Sequence, residues 1–189
     1  MMKKTSMAVA FALVFSGQAI AAMQSCYTDE AGSTADIRFQ DNGDGTVVDL
    51  QTELVWRRCL SGTTWNQATQ TCDGEPSGFK WKSALFHIEH NEKSSGYGGV
   101  TNWRMPNIKE LFSLREVACI SPAVNLKAFP GFIRKEEDMW ALTSTVWSST
   151  ANLQTQDVPS FGLNDGLVTH FGFQDYELGV LLVSDGEEQ

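Results

Sequence analysis

The residues best equipped for chemistry are His87, Glu89, His90 and Glu92, which fall within one short stretch. On a helix His87 and His90 share a face, because residues three apart are neighbours there. A zinc-protease helix requires His-Glu-x-x-His, whose histidines lie one turn apart with the glutamate between them as general base. The order here is His87-Ile88-Glu89-His90, which fails that spacing. Ser148 and Ser149 lack the Gly-x-Ser-x-Gly setting of a hydrolase nucleophile. Asp41-Asn42-Gly43-Asp44-Gly45-Thr46 offers a third constellation, since clustered acidic and amide oxygens suit calcium. An EF-hand loop closes on a glutamate at its twelfth position, and counting from Asp41 that position is Thr52. The expectation is therefore a structural turn, with calcium its only metal alternative. No catalytic residue, cofactor site or metal site is assigned, and an enzyme is the least favoured reading.

The cysteines are Cys26, Cys59, Cys72 and Cys119. An even number in an exported chain points to two disulfides, for which three pairings exist. Cys59 and Cys72 close a short loop, and Cys26–Cys119 then ties the N-terminus to the middle of the domain; this is the expected pairing. Oxidation removes a thiol nucleophile. A zinc site would need closely spaced cysteine pairs or clustered histidines, which the wide spacing does not provide.

Export is read from the N-terminus. Lys3 and Lys4 precede an apolar run from Met7 to Phe15, and Ala19-Ile20-Ala21 gives the small-x-small pattern of a cleavage site. Residues 1–22 are thus a signal peptide and residues 23–189 a single domain with an acidic C-terminal tail. A lipoprotein anchor at Cys26 fits poorly, because Gln24 stands where a small residue is usual. No later stretch is long and apolar enough to span a bilayer as a helix, so no transmembrane segment is expected. The formal net charge of −9 argues against nucleic acid and against an anionic membrane surface, both of which demand basic patches.

Secondary structure must then position these residues. Ile37–Gln40 and Val47–Asp49 flank the Gly/Asn/Asp turn as a hairpin, and Leu54-Val55-Trp56 adds a strand. Trp81, Ala84, Leu85 and Ile88 recur at helical spacing, and residues 91–102 read as a loop. Pro106-Asn107 with Glu110 forms the start of a second helix, a capping box with an apolar face of Ile108, Leu111, Phe112 and Leu114. Arg115 and Glu116 are expected to be solvated, and the helix to end near Cys119. Ala128–Phe132 reads as a loop with buried aromatics. Strands follow at Val146–Ser149, Ser160–Gly162 and Val168–Phe171, with a well-buried one at Gly179–Val183. Trp56, Trp103 and Trp147 are read as core, Arg104 as the partner of a buried carboxylate such as Asp49, and Ser148 as part of a structural motif. Trp140, beside a charged patch, is the exposed-aromatic candidate for a ligand patch. Strands at both ends with helices between them give an α+β class.

These motifs together resemble a known family. Arg38-Phe39-x-Asp41-Asn42-Gly43-Asp44-Gly45-Thr46-Val47, Thr52-x-Leu54-Val55-Trp56-x-Arg58-Cys59, Asn102-Trp103-Arg104-Met105-Pro106-Asn107-x-Lys109-Glu110-Leu111 and Val146-Trp147-Ser148-Ser149 stand in one order. That order resembles the DUF1566 family, the C-terminal domain of the Legionella collagen-like protein. The resemblance implies a C-type lectin-like fold, with short antiparallel strands, two main helices and a long looped region. It also implies an exported protein, secreted or periplasmic, acting as a non-catalytic envelope or cell-surface domain that binds a glycan or another surface protein. The alternative is a structural or assembly component of a surface appendage or secretion system. The collagen-like relative binds sulfated glycans, but the family's arginine-bearing last strand is here Val180-Leu181-Leu182-Val183, so that ligand is not carried over.

Overall fold

The computed structural model describes residues 24–27, 29, 31–132 and 142–186. The signal-peptide reading, Trp140 and the last residues of the acidic tail lie outside them.

Four strands form the largest sheet, in the order β11 (Val183–Ser184), β4 (Val55–Arg57), β3 (Thr46–Asp49) and β2 (Phe39–Asp41). The hairpin is β2 (Phe39–Asp41) against β3 (Thr46–Asp49), antiparallel, with Asp41 opposite Val47. Gly43 and Gly45 take positive φ in its turn. At Gly45 a side chain would collide with Trp65 and the Tyr97 hydroxyl, so the site requires glycine for packing as well as for conformation. β4 (Val55–Arg57) pairs with β3 and with β11 (Val183–Ser184). A second sheet has the order β10-β9-β8, from β8 (Thr145–Val146), β9 (Asp157–Gly162) and β10 (Val168–Gly172), all antiparallel. Two smaller antiparallel pairs are β5 (Thr64–Asn66) with β6 (Thr71–Asp73), and β1 (Ser25–Cys26) with β7 (Cys119–Ile120). With the helices below, the fold is α+β.

The segment Leu178–Val183 joins two hydrophobic cores. Leu178, Val180 and Leu182 pack with Trp103, Trp147 and Val158, whereas Leu181 and Val183 pack with Trp56, Leu111 and Phe129. Alternate side chains of an extended segment point to opposite faces, so a run buried on both faces must be apolar throughout. Only its end is regular strand; the rest is held by Phe79, Ser61, Trp147 and Arg57, which bond the backbone of Leu178, Val180, Gly179 and Leu182.

The first helix is longer than its apolar spacing indicated. α1 (Trp81–His87) runs through a π-helical turn at Ile88–Glu92 into α2 (Lys93–Ser95), replacing the first part of the expected loop. The Glu89–Lys93 ion pair spans that turn, and Gly96 in the left-handed conformation stops the helix. Ala84 and Ile88 are buried as expected, but Leu85 is exposed. α3 (Ile108–Ser113) begins at the expected capping box and ends at Leu114, well before Cys119. Leu111 and Leu114 are fully buried, while Phe112 lies half exposed.

Candidate functional site

The residues singled out by motif build scaffold. Trp56, Trp103 and Trp147 are fully buried, and the indoles of the latter two donate to the backbone carbonyls of Tyr97 (3.2 Å) and Phe79 (2.6 Å). The Ser148 hydroxyl donates to the Pro159 carbonyl at 2.5 Å, and the Ser148 carbonyl accepts from Trp81 Nε1. Asn107 Oδ1 accepts from the Lys109 and Glu110 amides, and Glu110 Oε2 accepts from the Asn107 amide at 2.7 Å. Pro106 precedes this cap, and its carbonyl accepts the Ser149 amide.

Arg104 does not reach Asp49. Its guanidinium grips Glu110 through both terminal nitrogens, at 2.9 and 2.8 Å, and bonds Asp185 as well. Donating to the carboxylates of Glu110, then Asp185, raises the Arg104 pKa, and Arg104 in turn lowers that of Asp185. Arg104 thus fastens the start of α3 to the chain leaving β11. Asp49 instead pairs with Arg38, through Nε at 2.8 Å and Nη2 at 2.6 Å. Its burial raises the carboxyl pKa, but the Arg38 and Thr52 side chains and the Gln51 amide more than offset this and lower it.

The histidines and the carboxylates of the hairpin turn are engaged by neighbouring groups. His87 bonds Glu92 and stacks on Phe79, whereas His90 stacks on Phe86 and bonds its carbonyl. Asp41 is taken up by Arg58 and the Gly43 amide, and Asp44 by Thr46. Among the described residues no group of three or more His, Cys, Asp or Glu could hold a metal ion. The disulfides join Cys59 to Cys72 and Cys26 to Cys119.

Concave surface is found elsewhere, between the N-terminal lead-in and the segment after β7. One cleft, of about 420 Å³, is lined by Asp36, Phe39, Asp41, Arg58, Gln70 and Ala128 among others. A second, of about 470 Å³, includes Gln24, Tyr27, Thr34, Glu116 and Asn125. Asp36, Leu126 and Lys127 line both. The Lys127–Asp36 ion pair, exposed on both partners, therefore stands between them.

Arg58 builds the first cleft. Its side chain is 4% exposed and lies over the Trp65 ring at 4.4 Å. It donates to the carbonyls of Ala128 (2.8 Å) and Lys127 (2.6 Å) and to Asp41 Oδ2 (2.6 Å), joining the hairpin to the opposite wall. Glu116 builds the second. It is 6% exposed, contrary to the solvated position its place after α3 implied. Its carboxylate accepts from the Ser33, Thr34 and Ala118 amides and from the Thr34 hydroxyl, at 2.7 to 3.0 Å. Burial pushes its pKa up, but these bonds outweigh it and hold the carboxyl down at about 2. Asn125 completes the join: its amide donates to the Thr34 carbonyl and its Oδ1 accepts from the Lys127 and Ala128 amides.

The expected looped region contributes Leu126, Lys127, Ala128 and Pro130 to this surface, and Trp140 lies outside the described residues. Arg58, Asp36 and Lys127 were not singled out by sequence; the sole hint was Arg58 inside the motif ending at Cys59. The family model described as the Lcl C-terminal domain matches residues 45–183. No curated protein and no solved structure matches the chain.

Proposed function

The chain belongs to the Lcl C-terminal domain family, and from that premise we propose that it is an exported, non-catalytic envelope or cell-surface domain that binds a neutral glycan in the paired clefts. Residues 1–22 are read as the export signal and 23–189 as one domain of C-type lectin-like organisation. The basic start, the apolar run and the two disulfides support export.

The observation that carries the binding reading is the double cleft across Lys127–Asp36. Its deeper ionic groups, Arg58 and Glu116, are held by several hydrogen bonds each, which makes a rigid wall rather than a proton-transfer pair. Its mouth mixes carboxylates, an amide and an aromatic ring, groups that suit hydroxyls and sugar faces. Asp36, Asp41 and the acidic chain repel sulfated glycans, and the buried Leu181 and Leu182 offer no cationic strand in their place. Asp36, Phe39 and Asp41, three of the ten residues lining the first cleft, precede the family match, so this surface belongs to more than the shared core.

A glycan array with the oxidised protein, in calcium and again in chelator, tests this. The expected result is saturable binding to neutral glycans in both conditions, lost in Lys127→Glu, whose exposed position leaves the fold intact. Absence of binding, or binding unchanged by Lys127→Glu, would overturn the assignment.

A further inference from the structure

A second surface, independent of the clefts, lies at the open edge of β10. In an antiparallel pair alternate residues direct their backbone groups toward the neighbour and away from it. The Gly162 amide donates to the Leu167 carbonyl at 2.8 Å, and the Phe173 amide to the Gln156 carbonyl at 3.1 Å. Leu167, Thr169, Phe171 and Phe173 therefore bond across to β9. Val168, His170 and Gly172 turn their N–H and C=O groups outward. Pro159, with no N–H, stands opposite His170, as this phase requires. Among the described residues the outward carbonyl of Gly172 takes the Asp175 amide at 3.4 Å, and the backbone groups of Val168 and His170 have no backbone partner.

Edge strands are normally blunted by lysine, proline, a bulge or an inward charge. β10 reads Val-Thr-His-Phe-Gly and carries none of these. Leu167 and Val168 are exposed apolar residues at its start, 53% and 38% accessible. Both ends carry acid. Asp165 Oδ1 accepts the Leu167 amide at 3.0 Å, which fixes that carboxylate where the strand begins. The Asp175 carboxylate lies so close to Gly172 that a side chain there would collide with it. Asp157, opposite Gly172, keeps a buried carboxylate oxygen without a hydrogen-bond partner.

This charge pattern selects the occupant. A second copy of β10 laid antiparallel would bring the Asp165 end of one strand against the Asp175 end of the other. An extended segment with basic residues at both ends and β-branched residues between them meets a carboxylate at each end instead. We propose that β10 accepts a strand from a cationic partner protein by β-augmentation, backbone to backbone along Val168 and His170 and through the Gly172 amide.

The test uses the oxidised protein and two capped probe peptides, Lys-Thr-Val-Thr-Val-Thr-Lys and Glu-Thr-Val-Thr-Val-Thr-Glu. Fluorescence anisotropy gives the affinities, and amide exchange by NMR gives the site. The lysine peptide is expected to bind and to slow exchange at Val168, His170 and Gly172, while Thr169 and Phe171 are already protected by β9. The glutamate peptide should bind at least roughly tenfold more weakly, on the scale of one charge-assisted bond. His170→Pro removes an outward N–H that β9 does not use, so the sheet survives and binding falls roughly tenfold or more. If His170→Pro misfolds by circular dichroism, Val168→Lys carries the same test through repulsion of the cationic segment. No binding of the lysine peptide, equal binding of both peptides, protection elsewhere, or binding unchanged in whichever variant folds would overturn the proposal. So would dimerisation of the protein alone that protects the same amides.

Discussion

Glu116 shows most clearly how one residue departs from its sequence surroundings. It follows Arg115 at the end of an amphipathic pattern, where a charged side chain ordinarily faces water. The helix stops at Leu114 instead, and the Glu116 amide bonds the Ala123 carbonyl, which turns the carboxylate inward toward Ser33 and Thr34. Its pKa of about 2 lies below the ordinary 4.5. A depressed carboxyl contributes stability that is complete above the unfolded value and is lost as pH falls through the folded one. Acid titration of unfolding free energy should therefore show a loss of about 3 kcal/mol from this group between roughly pH 5 and 2. Glu116→Gln should lower stability at neutral pH by about 2 kcal/mol and flatten that acid slope, because an amide presents one acceptor oxygen to several donors. Denaturant melts across pH check both; an unaltered slope in the variant would assign the titration to another carboxyl.

At the scale of elements, α3 is the best-determined piece, and it is short. Asn107→Ala should cost about 1 kcal/mol in denaturant melts, since the side chain accepts two amides that otherwise lack partners. Little change would mean that Arg104 and Glu110 alone fix the helix start. The cap was legible because it is local: Asn107 and Glu110 lie within one turn, and no distant residue is needed to specify them. The Arg104 partner was not legible. Glu110 is near in sequence, but Asp185 arrives only because β11 pairs beside β4 and Val183 bridges to Arg104. The helix continuation through residues 91–95 was missed for a related reason. Its composition is that of a loop, and what holds it is tertiary: the Glu92 carboxylate meets buried Arg57 at 2.6 Å.

Across the whole molecule, the two disulfides act on different distances. Cys26–Cys119 joins residues 93 apart and pins β1 to β7 at the rim of the second cleft, whereas Cys59–Cys72 spans 13. On loop-closure entropy, replacing the longer bridge by alanines should cost about 4 to 5 kcal/mol and the shorter about 3 kcal/mol. Thermal and denaturant melts of the two double variants check the order, and an inverted order would mean that the lead-in is held chiefly by Glu116 and Asn125. The longer bridge should also matter more for glycan binding, because the N-terminal lead-in lines both clefts.

The sequence by itself determined what depends on neighbours in the chain or on a solvent-averaged preference. That comprises the hairpin around Gly43–Gly45, the Asn107 cap, the continuous apolar run of the last segment, the burial of three tryptophans and the ordered motifs of the family. Tertiary structure alone decided which carboxylate meets which guanidinium, which of Leu85, Phe112 and Glu116 turns inward, and where a concave surface forms. The physical reason is that charge pairing and cavity shape depend on distances between residues far apart in sequence. Arg58 meets Lys127 and Ala128, and Glu116 meets Thr34, only after the strands have brought these segments together.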